Sequence, residues 1–190
     1  MLVLIIGGSG SGKSAYAENY IAGIPGMERK YYLATMKVYD KEAEKRVLKH
    51  REMRSGKGFY TIEQCCDIQL ASQSMDAWER ENCEETKPDQ RAALLECMSN
   101  LVANEMFRED KICPGALVEE KILREIRMLE NTVGALVIVT NNVFEDGTEY
   151  DGTTMEYIRT LGAVNEKLSD RARQVIEVVA GIPVLLKEEK

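Results

Sequence analysis

An apolar run, LVLII at 2–6, passes directly into GGSGSGKS at 7–14, and the octet opens a stretch of helical composition, SAYAENYIA. Gly7, Gly12, Lys13 and Ser14 hold the fixed places of G-x-x-x-x-G-K-[ST], with Gly8, Ser9, Gly10 and Ser11 as the spacer. Strand, glycine loop and helix in that order form a phosphate cradle. The glycines let backbone N–H groups converge, and the helix N-terminus adds partial positive charge. Lys13 supplies a mobile cation for the terminal phosphates, and Ser14 is placed to hold Mg²⁺. A glycine-rich turn without a ligand explains the glycines but not the Lys-Ser pair in register. A nucleoside triphosphate is therefore the expected ligand.

The rest of the chain repeats the alternation. Short apolar runs at 31–35, 59–63, 92–96, 135–140, 175–179 and 182–187 read as strands, several of them apolar throughout, as strands covered on both faces are. Between them lie helical patterns at about 40–54, 67–80, 99–108, 115–131 and 154–173. Such alternation predicts an α/β fold with a mainly parallel sheet. Only Ala180 and Gly181 separate the last two strands, which is hairpin spacing and makes the final strand antiparallel. The polar stretch 81–90 and the acidic stretch 144–153 read as loops. Met98, Met106 and Phe107 are expected in the core, and 119–131 reads as an amphipathic surface helix.

At 190 residues and 44% apolar content, the chain 1–190 is expected to form a single nucleotide-binding domain. A formal net charge of -7 disfavours a broad nucleic-acid surface and leaves room for a local cationic pocket. Five cysteines without a C-x-x-C pair, and a single histidine, support neither a disulfide framework nor a zinc site, and Cys97 reads as a small buried residue. The first apolar run is too short and too glycine-flanked for a signal peptide, and no segment approaches membrane-spanning length, so a cytoplasmic protein is expected.

A P-loop does not by itself name a reaction. N-K-x-D and D-x-x-G, expected of a GTPase switch, are absent. Glu96 ends the run AALLE where it can organise Mg²⁺ or read a base. His50 is the only histidine, and on a helix it lines up with Arg46 and Arg54 at i, i+4 and i+8. A ladder of basic groups suits a bound anion, and the arginines lower the imidazole pKa so that it stays neutral. A neutral imidazole beside a triphosphate is able to attack the α-phosphorus. From spacing alone, a solvated helix histidine is the competing reading.

Read in order, GGSGSGKS, YYLAT, DKEAEKRVLKHREMR, FYTIE, LLECMSNLVANEMF, VIVTNN and LGAVNEKLSDRARQVIEVVAGIPVLLK resemble the adenosylcobinamide kinase / adenosylcobinamide-phosphate guanylyltransferase family over nearly the whole chain. The resemblance implies a RecA-like, three-layer P-loop fold and a trimer. It implies a bifunctional enzyme of cobalamin biosynthesis that phosphorylates a corrinoid, adenosylcobinamide, with ATP or GTP. The same enzyme then transfers GMP from GTP through a guanylylated histidine to give adenosylcobinamide-GDP. The family's R-x-x-x-H-x-x-x-R falls on Arg46, His50 and Arg54. The nucleotide site is then implied to comprise Gly7 to Ser14, Leu33, Ala34, Thr35, Arg46, Arg51, Glu52, Met53, Arg54, Glu63 and Glu96, with His50 and Lys13 catalytic and Ser14 on Mg²⁺.

Two places depart from the family pattern. Residues 142–146 read NVFED where E-V-G-x-G is common, with Glu149, Gly152 and Met155 following, and Gly10 stands where an arginine is common. The altered segment bears on substrate binding and on the kinase step. Two further readings stay open on the residues: a P-loop kinase for a small hydroxylated substrate without a covalent intermediate, and a non-catalytic nucleotide-binding regulatory protein.

Overall fold

The structure is a computed structural model and describes residues 1–37, 56–83, 85–108, 111–142 and 150–189. Strands β1 (Leu2–Gly7), β2 (Arg29–Ala34), β3 (Phe59–Glu63), β4 (Arg91–Glu96), β7 (Ala135–Asn141), β8 (Gln174–Val179) and β9 (Ile182–Glu188) form one sheet in the order β3-β2-β4-β7-β1-β8-β9. All neighbours are parallel except β8 and β9. The helices are α1 (Lys13–Ala22), α2 (Ala71–Glu81), α3 (Met98–Met106), α4 (Gly115–Glu130) and α5 (Gly152–Arg171). The expected helix at 40–54 lies outside the described residues.

Successive strand side chains point to opposite faces, so an apolar strand supplies two cores at once. Leu2, Leu4, Leu33, Leu95, Leu136 and Ile138 join Met75, Leu101, Ile122 and Leu161 of α2 to α5 on one face. Val3, Ile5, Leu94, Val137 and Val139 pack with Ala17 and Ile21 of α1 on the other. Each fully buried aliphatic side chain contributes about 1.5–3 kcal/mol. These two cores fix the sheet as the middle of three layers.

The sheet's ends have their own fastenings. Arg91, nearly buried at the start of β4, donates to Asp76 at 2.8 Å and to Glu79 at 3.0 and 2.5 Å, and the Tyr31 hydroxyl donates to Glu79 at 2.6 Å. At the C-terminal end, Ala180 and Gly181 both take positive φ, 50° and 81°, as a two-residue hairpin turn requires.

Several boundaries differ from the sequence reading. Helix α3 stops at Met106, and Phe107–Arg108 (β5) pairs with Lys111–Ile112 (β6) in a small antiparallel ladder. Phe107 leaves the helix and is exposed rather than core, whereas Met98 and Met106 are fully buried. The stretch at 67–80 opens with a 3₁₀ turn, Ile68–Leu70, before α2. Helix α5 begins at Gly152 because Asp151 caps it, accepting from the Thr153 and Thr154 N–H groups at 2.9 and 3.0 Å. Helix α4 buries Glu125 along with its aliphatic face, held by Lys121 at 3.3 Å. Among the described residues no helix is long and apolar enough to cross a membrane.

Candidate nucleotide-binding site

The P-loop stands at the carboxyl edge of the sheet, where open α/β sheets bind ligands. A Cβ on Gly7 would lie 2.5 Å from Ser11 Oγ and 2.7 Å from the Val178 carbonyl, so only glycine fits there. Gly12 has φ 88°, again a glycine conformation, and delivers the chain into α1. The Gly181 N–H donates to the Ser11 carbonyl at 2.8 Å, so the β8–β9 turn buttresses the loop from behind. Lys13 is 8% exposed and donates to the Gly8 carbonyl at 3.0 Å, which folds its ammonium back over the loop.

Ser14 Oγ donates to Glu96 Oε1 at 2.6 Å. This joins the first turn of α1 to the tip of β4, although β7 separates β4 from β1 in the sheet. A hydroxyl and a carboxylate at that distance are hard oxygen donors of the kind Mg²⁺ takes, so the pair fits the expected metal. Of the two roles open to Glu96, metal organisation is the one this contact favours.

Glu63, Ala34 and Glu96 share one register level across β3, β2 and β4. In-register residues of parallel strands point to one face, and Ala34 packs on the α1 side. Two carboxylates therefore flank Ala34 on the face that carries Ser14, with Cα atoms about 10 Å apart by two strand spacings. The other expected members from β2 are placed differently. Leu33 is fully buried in the opposite core. Thr35 is also fully buried, its hydroxyl donating to the Glu96 and Cys97 carbonyls at 3.0 and 2.8 Å and accepting from the Cys97 N–H at 2.8 Å. Both hold the ends of β2 and β4 together and offer no side chain to the site wall.

Behind Glu96 runs a polar seam that the sequence did not single out. Cys97 Sγ lies 3.0 Å from Ser99 Oγ, Asn141 Nδ2 donates to the same hydroxyl at 2.7 Å, and the Tyr157 hydroxyl donates to the Ser99 carbonyl at 3.2 Å. Burial, with Glu96 next in the chain, pushes the Cys97 thiol up, so it stays a neutral thiol. Burial likewise pushes Tyr157 up to about 12. The seam ties the start of α3 to β7 and α5, just past the end of β4. Apart from Cys97, already read as buried, its members carry no sequence signal because only the strand order brings them together.

Arg46, His50, Arg51, Glu52, Met53 and Arg54 lie outside the described residues. Gly8, Ser9, Gly10 and Ser11 line a cleft of about 500 Å³ with Asn142 and the end of β8. A larger cavity, about 630 Å³, surrounds Asp76, Glu79 and Arg91 at the far edge of the sheet, where those charges already satisfy one another. The carboxylates of Asp67, Glu105 and Glu125 also approach within 4.8 Å, but Lys121 sits in their midst as their counter-ion.

A family model described as cobinamide kinase / cobinamide phosphate guanyltransferase matches residues 3–186. The bifunctional adenosylcobalamin biosynthesis protein CobU of Salmonella typhimurium is 28% identical over 199 residues, covering 98% of this chain and all of the relative. CobU of Escherichia coli K12 is 28% identical over 196 residues at the same coverage. CobP of Pseudomonas aeruginosa is 26% identical over 186 residues, covering 98% of this chain and 97% of the relative. Among solved structures, a KaiC-like protein from Pyrococcus horikoshii OT3 superposes with a TM-score of 0.54 at 12% identity, over all of this chain and 80% of that one. That likeness carries the fold alone.

Proposed function

Since this chain belongs to the cobinamide kinase / cobinamide phosphate guanyltransferase family, we propose that it makes adenosylcobinamide-GDP in two steps on one P-loop. Membership makes it a transferase of cobalamin biosynthesis with kinase and guanylyltransferase activities. In the first step the side-chain hydroxyl of adenosylcobinamide takes the γ-phosphoryl group of ATP or GTP. In the second, the neutral His50 imidazole attacks the α-phosphorus of GTP, and the bond to the β-phosphate oxygen breaks to release pyrophosphate. The corrinoid phosphate then attacks the same phosphorus and frees the imidazole.

The Ser14–Glu96 contact at 2.6 Å carries this reading, because it assembles the P-loop hydroxyl and the strand-end acid into one phosphate-side unit. Ser14 and Glu96 would hold Mg²⁺, which when bound neutralises charge on the phosphate oxygens. Lys13 and the loop N–H groups bind the phosphates. Glu63, on the same face as Glu96, suits the guanine edge, since a carboxylate accepts from both N1–H and the 2-amino group and adenine offers no such pair. By family resemblance the nucleotide-contacting set extends to Arg46, Arg51, Glu52, Met53 and Arg54 with His50, all outside the described residues.

We read residues 1–190 as one domain of a cytoplasmic homo-oligomer, a trimer by family resemblance. The β9 edge supports self-association. Val179, Ile182, Val184, Leu185 and Leu186 are 42 to 65% exposed on one hairpin, an apolar concentration that monomers rarely present.

The deciding experiment incubates the protein, and His50→Ala, with α-labelled GTP and Mg²⁺, followed by denaturing electrophoresis with and without mild acid. Acid-labile label on the wild type alone is expected. A folded, GTP-binding wild type that takes no label would remove the covalent step and leave a plain kinase or a non-catalytic binder.

A further inference from the structure

Strand β8 reads QVIEVV and is paired on both sides, with β1 and with β9. Val175, Ile176 and Val178 are buried, as an interior strand demands. Gln174 begins the strand and is partnered, accepting from Tyr20 at 2.5 Å and donating to Glu188 at 2.7 Å. Glu177 is different. It is half-buried between Ile176 and Val178 in the chain, and its side chain makes no hydrogen bond or ion pair with any described residue. A half-buried, unpartnered carboxylate costs stability. Local rules of this kind are broken mainly at functional sites.

Its position says which site. Glu177 is in register with Ile6, the residue before the P-loop's first glycine. The two side chains share the face opposite α1, and Glu177 lines the cleft with Gly8 to Ser11 and Asn142. The Asn142 N–H donates to the Gly7 carbonyl at 3.2 Å, which holds that wall against the loop. Ser14 and Glu96 meet on the α1 side of the sheet, so Glu177 belongs to neither the metal pair nor the Glu63–Glu96 row.

We infer that the cleft between the first half of the P-loop and the end of β8 receives the phosphoryl acceptor, and that Glu177 takes the hydrogen bond and then the proton of its hydroxyl. The inference rests on the kinase half of the function proposed above. A carboxylate beside a triphosphate repels the phosphates themselves, so its natural partner is a neutral donor that must come close to the γ-phosphorus. A hydroxyl is that donor. About 500 Å³ accommodates the hydroxyl-bearing arm of a substrate and leaves a macrocycle outside. In the step, the acceptor oxygen bonds to the γ-phosphorus, and the bond to the β–γ bridging oxygen breaks with its electron pair leaving on the nucleoside diphosphate. The hydroxyl proton passes to Glu177 and on to solvent.

The test uses the full chain as wild type, Glu177→Gln and Glu177→Asp. Phosphorylation of adenosylcobinamide is followed across pH, beside GTP binding and His50 labelling from α-labelled GTP. For Glu177→Gln the expected result is a fall of kcat in the kinase step by about 10²-fold or more. GTP affinity and histidine labelling stay at the wild-type level, and Glu177→Asp recovers part of the rate. Wild-type phosphorylation by Glu177→Gln overturns the inference, and so does a parallel loss of GTP binding and labelling, which would mark a structural residue. A wild type that labels but never phosphorylates would remove the kinase half of the reading, and this inference with it.

Discussion

Ser14 and Glu96 are 82 positions apart in the chain and 2.6 Å apart in space, hydroxyl to carboxylate, across the end of the intervening strand β7. The contact exists because β4 and β1 both bond to β7 rather than to each other, which leaves a gap at the sheet edge that α1 enters with its first turn. Glu96→Gln keeps the shape and an acceptor for Ser14 but removes the charge. The half-saturating Mg²⁺ concentration for nucleotide turnover should rise about 10- to 100-fold, with the unfolding midpoint little changed. Titration of activity against Mg²⁺ checks this, and a large drop in thermal stability would make the contact structural instead.

Gly7 and Gly8 are adjacent and should respond oppositely to a single methyl group. At Gly7 the new Cβ meets the Val178 backbone carbonyl at 2.7 Å, and β8 or the loop must shift. Gly7→Ala should cost about 1–3 kcal/mol of stability and lose most GTP affinity. At Gly8 nothing lies within 4 Å of an added Cβ, so Gly8→Ala should fold as the wild type does. Calorimetric titration with GTP beside a thermal melt of each variant tests the pair.

Glu79 makes stability depend on acid. Its own burial acts to raise the carboxyl, but hydrogen bonds from Arg91, Tyr31 and the Thr86 N–H outweigh that and hold it below the ordinary carboxylate range. A depressed folded value means its contribution is complete above the unfolded carboxylate pKa and disappears as pH falls through the folded one. Denaturant midpoints should therefore decline in acid, and Glu79→Gln should flatten that decline. At neutral pH the same variant should cost about 3–5 kcal/mol, because Arg91 is left buried with half its partners.

The β9 edge predicts assembly. Light scattering of the wild type should report a multiple of the 21.4 kDa chain. Ile182→Lys with Leu186→Lys, both on exposed positions, should give a folded species of the single-chain mass. An unchanged mass in that double variant would place the interface elsewhere, and a monomeric wild type would assign the edge to a different partner.

Much of this was legible in the residues themselves. The P-loop, the seven strands of the main sheet and the antiparallel last strand follow from glycine spacing and from apolar runs long enough for a strand and too short for a helix. Local chemistry determines these, since a phosphate cradle needs its glycines at fixed places and a doubly covered strand needs apolar residues throughout. What the sequence hid lies where distant segments meet. Phe107 keeps a helical spacing yet leaves the helix because Phe107–Arg108 finds a ladder partner at Lys111–Ile112. Leu33 and Thr35, which the resemblance implies for the nucleotide site, have side chains buried by the packing between β2 and β4. Glu177 sits in an otherwise apolar strand run, and only the strand order puts it beside the P-loop. Strand order is set by which apolar faces pack best together, a property of the whole chain that no short stretch of it records.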